Sequence, residues 1–196
     1  MRGKMKVVVL AGGTSTERDV SLVSGSMIYK ALKRKGHQAI LLDVYLGYQG
    51  DWEQIFERNV DWTAQIGAVA EKNPDLDAIK ALRQDGARSF FGPNVLAICQ
   101  SADAVFMALH GANGEDGKIQ ACFELLGIPY TGTDFVSSAM AMDKGITQGY
   151  FQGVQYSYTQ GNPPEKGREG NGKGSLSLHC KGSLRRLQRG RVHCKK

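Results

Sequence analysis

The chain has 196 residues, of which 41% are hydrophobic and 22% charged, a balance that excludes a wholly disordered protein and leaves room for one compact domain. Its net charge of +6 is unevenly spread: residues 1–144 carry 15 Lys and Arg against 17 Asp and Glu, whereas residues 145–196 carry 10 against 2. The basic character therefore belongs to the tail, and the first part has no charge signature of a nucleic-acid binder.

Residues 6–10 (KVVVL) form a β-branched run that predicts a buried strand. Next come a Gly12-Gly13 turn and an apolar-periodic helix ending near residue 35. The turn lacks both the GxGxxG spacing of a dinucleotide fold and the GKS/T ending of a P-loop. Its N–H groups and the helix dipole favour an anion. Residues 38–43 predict a second strand. Residues 46–94 are least legible: Trp52, Phe56 and Trp62, at near-helical spacing, predict a packing face, residues 75–82 a short solvated helix, and residues 86–93 a turn-rich connection.

Residues 103–109 (DAVFMAL) predict a third strand, followed by His110 and a glycine-rich acidic turn, with Lys118 opening a helix. His110 thus falls at the carboxyl end of a strand, where open α/β sheets place their ligands. A histidine satisfied by nearby backbone is the alternative. Residues 131–134 (TGTD) predict a turn into an apolar helix over 135–144 that carries Lys144 at its end. The order of elements predicts an α/β fold, an open parallel sheet flanked by helices, Rossmann-like in outline.

Besides His110, two side chains stand out. Glu17 is a carboxylate in a loop suited to anions, where it could pair with a substrate ammonium; the alternative is that Glu17 or Asp19 caps the helix with Ser21 as a capping partner. Lys144 either interacts with a helix carboxyl end or reaches into a nucleotide site.

The blocks GGTSTERDVSLVSG, FMALHGANGEDGKIQACFELLGIPYTGTD and SSAMAMDK, in this order, resemble the amino-terminal part of the D-alanine–D-alanine ligases, which are ATP-grasp enzymes. The resemblance spans residues 6 to about 153. It implies a preATP-grasp domain over 1–144, with 145–153 starting the link to an ATP-grasp central domain. It implies that Glu17 and His110 are catalytic-site residues: Glu17 holds the first D-alanine by its ammonium group, while His110 and Gly111 lie beside its carboxylate. Val20 and Ser21 shape the same loop, and Lys144 contacts ATP phosphates. The implied reaction phosphorylates the first D-alanine and joins it to a second for peptidoglycan synthesis. The implied cofactors are ATP and Mg²⁺, with the metal ligands further along than this chain visibly extends; none of its residues is assigned to metal. A homodimer is the family habit. The second substrate, D-alanine, D-lactate or D-serine, is left open.

The tail from about residue 154 is Gly-rich and basic, with no sustained apolar period, and predicts disorder. Three readings compete for it. A basic arm could hold nucleic acid or an anionic membrane surface without sequence specificity. The pairs His179-Cys180 and His193-Cys194 lack the spacing that zinc sites use. The third reading is a reading-frame slip near Val154: dropping one base permits CGGSSVGVSIAK over 184–196, a glycine-rich phosphate-covering loop. In the shifted frame Gln160, Glu165, Lys166, Glu169, Lys173 and Lys181 each become Lys or Arg whatever their third base. The chain is then expected to be an incomplete, inactive ligase, the alternative being a non-catalytic ligase-derived binding domain with a basic arm. No run is long enough to span a membrane, and the start is too short in its apolar run for a signal peptide. A cytoplasmic setting is expected, with Cys99 and Cys122 as reduced core residues.

Overall fold

A computed structural model describes residues 3–64, 66–67, 73–83, 85–86 and 88–153. The tail readings, including both His-Cys pairs, lie outside the described residues. The chain divides into two units between Asp143 and Lys144, and each is described by itself.

In the first unit, β1 (Lys6–Ala11) is the central strand of a three-stranded parallel sheet in the order β2-β1-β3, with β2 at Gln38–Asp43 and β3 at Ala104–Met107. The VVVL and AILL runs contain no polar residue because both faces of such a strand are covered. Val7 to Ala11 are all buried, as are Ala39 to Leu42. Val8 pairs with Ile40 on one side and Val105 on the other. The strand expected over 103–109 is shorter than its apolar run: it ends at Met107, the Ala108 N–H still donates to the Leu10 carbonyl at 2.9 Å, and the chain then runs on through Leu109 and His110 to the site. Tyr130 adds an isolated parallel bridge to Val105, which the turn expected at 131–134 did not suggest.

One face of the sheet buries Val8, Leu10, Ile40 and Val105 against Ile98 and Cys99 of α3 (Val95–Gln100) and against Ile119 and Phe123 of α4 (Lys118–Leu125). The other face packs Val9, Ala11 and Leu41 against Tyr29 of α1 (Arg18–Arg34). Burial raises the Cys99 thiol to about 12, so it is an inert core group rather than a nucleophile. The aromatic residues of the poorly legible stretch do pack: Phe56 is buried, and Trp52 and Trp62 lie partly buried against the core. Their spacing is not that of a helix, however, because only Ile55–Glu57 forms a single 3₁₀ turn. The solvated helix appears as α2 (Leu76–Ala81), with no buried residue and with Asp75 accepting from the Asp77 and Ala78 N–H groups as an N-cap.

The helix expected over 135–144 is two elements. α5 (Phe135–Met142), capped by Asp134, ends where Asp143 turns extended at ψ 107. Lys144 opens α6 (Lys144–Gly153) in the second unit. Lys144 therefore directly follows the Asp143 C-cap of α5 and opens α6, so it adjoins a helix carboxyl end in the chain as well as a helix start.

Gly117 precedes α4 at φ +86, and a β-carbon there would overlap the Phe135 carbonyl oxygen. Backbone cannot yield as a side chain can. Gly117→Ala is expected to cost about 2 kcal/mol and to lower the thermal midpoint by roughly 5 °C; an unchanged midpoint would show that the α4–α5 corner is slack.

Candidate functional site

The site lies at the carboxyl ends of β1 and β3, where the chain leaves the sheet on each strand. Gly12 and Gly13 both adopt positive φ, at +79 and +87. At Gly12 a side chain would overlap the Asp43 carboxylate. That carboxylate is paired with the Arg18 guanidinium, and its other oxygen accepts the N–H groups of Tyr45 (2.9 Å) and Leu46 (3.0 Å). Arg18 also donates to the Gly13 carbonyl at 2.6 Å. The buried Arg18–Asp43 pair thus ties the glycine turn to the end of β2.

The turn does not offer all its N–H groups to an anion, as its glycines suggested. Gly12 N–H donates to Ser21 Oγ at 2.9 Å, and Ser21 Oγ donates to the Ala108 carbonyl at 2.7 Å. Ser21 is fully buried and joins the two strand ends. Ser15 makes a second tie, its hydroxyl donating to the His110 carbonyl at 2.8 Å and accepting the Glu17 N–H at 3.3 Å.

Glu17 occupies the N-cap position of α1, yet its side chain makes no capping hydrogen bond. The capping alternative for this residue therefore fails, and Ser21 is not its partner. The Glu17 carboxylate is exposed and directed toward the other loop: a β-carbon on Gly111 would sit 3.7 Å from Glu17 Oε2. Val20, on the first turn of α1, is 41% exposed. His110 is half-buried, with Nε2 3.4 Å from Ser24 Oγ and Nδ1 3.8 Å from Glu115 Oε1. Gly111 N–H donates to Glu115 Oε2 at 2.9 Å. Glu17, Ser21, His110 and Gly111 are thus brought together beyond the carboxyl ends of β1 and β3. Lys144 belongs to the other unit.

The loop after His110 is held by Asp116, which accepts from Asn113 N–H (3.0 Å), Lys118 N–H (3.3 Å) and Lys118 Nζ (2.6 Å). Burial opposes ionisation of Asp116, but the Lys118 ammonium and the two N–H groups outweigh it and hold the carboxyl below its ordinary value near 3.8. The contribution of this carboxylate to stability is therefore complete above that value and is lost as pH falls through the lowered one. In urea titrations between pH 5 and pH 3, Asp116→Asn is expected to flatten the acid decline; equal slopes for both proteins would refute the assignment.

Sequence reasoning missed Arg18, Asp43, Ser15 and Ser24. Arg18 and Asp43 had a signal, since each is a charge at a boundary between an apolar element and a glycine turn. Ser15 and Ser24 had none, because small hydroxyl residues are common at helix starts and on helix faces.

The sequence model described as the D-ala D-ala ligase N-terminus matches residues 6–133. The D-alanine–D-alanine ligase of Lacticaseibacillus casei is 45% identical over 159 residues, which cover 78% of this chain and 44% of the relative. That of Pediococcus pentosaceus is 45% identical over 151 residues, 74% of this chain and 42% of the relative. The chain therefore spans less than half the length of these relatives. Among solved structures, the D-alanine–D-alanine ligase of Bacillus anthracis complexed with ATP superposes with a TM-score of 0.53 at 22% identity, covering 81% of this chain and 37% of that one. The D-alanyl-alanine synthetase A of Vibrio cholerae gives 0.51 at 24%, covering 82% and 40%. Both likenesses speak for the fold.

Proposed function

The chain belongs to the D-alanine–D-alanine ligase family through its amino-terminal domain, and from that membership we propose that it binds the first D-alanine of an ATP-dependent ligation. The observation that carries this reading is the exposed, uncapped Glu17 carboxylate directed at Gly111 beside His110. A carboxylate that neither caps a helix nor pairs across the loop is suited to an ammonium group, and an imidazole with its ring edge accessible is suited to a carboxylate. Val20 and the buried Ser21 shape the wall between them.

In the proposed reaction a carboxylate oxygen of the first D-alanine takes the γ-phosphoryl group of ATP, releasing ADP. The amine of the second then attacks the acyl carbon, losing a proton as the C–O bond to phosphate breaks. The residues of this domain hold and orient the first substrate, and the gain comes from proximity. Lys144 is proposed to contact ATP phosphates. Among the described residues no three His, Cys, Asp or Glu side chains gather to hold a metal, so these residues do not form a magnesium site. Dependence on ATP and the free thiols of Cys99 and Cys122 fit a cytoplasmic setting, and the complete enzyme is proposed to be a homodimer.

One lysine is a small part of what phosphoryl transfer needs, so this chain is proposed to bind without turning over. Saturable binding of D-alanine by the full chain, measured by saturation-transfer NMR, is the expected result, with L-alanine failing to compete and no ATP-dependent phosphate release. Absence of D-alanine binding would sink the proposal, and D-alanine-dependent phosphate release would overturn the inactivity. Residues 154–196 are proposed to be translated out of frame; nucleotide sequence across those codons decides it, a neighbouring frame that is closed refuting the slip.

A further inference from the structure

The imidazole of His110 is flanked on both of its nitrogens. Ser24 Oγ, from α1, stands 3.4 Å from Nε2, and Glu115 Oε1 stands 3.8 Å from Nδ1. Glu115 is itself anchored, because its other oxygen accepts the Gly111 N–H at 2.9 Å, while the Ser15 hydroxyl fixes the His110 carbonyl at 2.8 Å. The backbone that carries the ring is thus held independently of the ring. An ionised carboxylate can only accept, so Glu115 favours a proton on Nδ1 and leaves Nε2 to accept from the Ser24 hydroxyl. At 3.8 Å the Glu115 contact is electrostatic rather than a hydrogen bond, and at 3.4 Å the Ser24 contact is a long hydrogen bond.

Ser24 follows Glu17 by seven residues, two helical turns, which brings both to the same side of α1. Ser21, between them, is buried, and backbone groups use its hydroxyl twice. Ser24 is only half-buried and meets a side chain. The two serines therefore have different work: Ser21 joins the strand ends, and Ser24 faces the imidazole.

We infer that Ser24 is a positioning residue of the substrate site, which with Glu115 across the ring fixes the plane and tautomer of His110 and places a hydroxyl where the substrate carboxylate is to lie. This rests on the reading that His110 faces the first D-alanine. In the ligand-free protein the hydroxyl donates to Nε2; beside a bound carboxylate it turns to donate to one oxygen, and Nε2, taking up a proton from solvent, donates to the same carboxylate.

The test uses the full chain labelled with ¹⁵N-histidine, with His110 signals assigned by their loss in His110→Asn. Neutral His110 is expected to carry its proton on Nδ1. Ser24→Ala should shift the ring toward a mixture of tautomers and weaken D-alanine binding about fivefold, the size of one modest hydrogen bond. Ser24→Thr should restore both, since it keeps the hydroxyl. A ring unmoved by Ser24→Ala overturns the inference whether or not affinity falls. If the unmodified chain fails to bind D-alanine, the function proposed above fails; a tautomer shift in Ser24→Ala would then still uphold Ser24 as the residue that orients His110.

Discussion

Removing the guanidinium of Arg18 is expected to be the most damaging single change to the fold. Arg18 and Asp43 are 6% and 14% exposed in their side chains, and Arg18→Ala would strand a carboxylate that is largely cut off from water. Breaking one half of such a pair costs about 3–5 kcal/mol, and the lower end applies because Asp43 keeps two backbone N–H donors. The loss is local in origin: Gly13 loses the donor to its carbonyl, and the turn that presents Glu17 loses its tie to β2. Urea unfolding should show a midpoint lowered by about 3 kcal/mol divided by the m-value. The double change Arg18→Met with Asp43→Asn should recover part of that loss, because no uncompensated charge remains. A loss below about 1 kcal/mol in Arg18→Ala would mean that water reaches the pair.

Glu17→Gln is expected to act in the opposite way, leaving the fold intact and removing function. The side chain is exposed and makes no capping hydrogen bond, so stability should change by no more than about 0.5 kcal/mol. If the carboxylate holds the ammonium of D-alanine, the amide loses a charge-assisted contact of about 1.5–3 kcal/mol, equivalent to roughly ten- to hundredfold weaker binding. D-alanine titration of both chains separates the cases. Equal affinities would move the ammonium site away from Glu17, while a destabilised variant would show that the carboxylate serves the fold.

The sheet and the helices α1 and α4 were legible because their apolar runs are sustained and their turns are marked by glycine. Residues 38–43 form a strand with the bounds their sequence suggests, and Lys118 opens a helix as expected. Residues 108 and 109 were read as strand because burial and strand pairing look alike in sequence: both are buried, but only the Ala108 N–H continues the pairing, donating to the Leu10 carbonyl, and both lie past the end of β3. Asp143 was absorbed into a helix because one acidic residue between apolar neighbours carries no stop signal. The α3 helix escaped notice since Asn94, its N-cap, uses a left-handed conformation, φ 61, and no side-chain bond, unlike the Asp caps at 75 and 134. At the site, the motif residues at the strand ends were legible. The hydroxyl ties through Ser15 and Ser21 were not, because they depend on which atoms meet across segments nearly ninety or more residues apart.

That separation has a consequence for how the domain is made. β1 and β2 are joined through one helix and can pair as soon as residue 43 is available, but the other edge of β1 waits for β3, and the Lys6 N–H meets the Asp103 carboxylate across 97 residues. Pairing over such a distance is slow relative to local structure. During that interval the N–H and C=O groups on one side of Val7 to Leu10 present an uncovered apolar strand edge, a template for pairing with another chain. During synthesis or refolding, the early half of the molecule is therefore the part most in need of a chaperone, and the arrival of β3 both closes that edge and delivers His110 to its place.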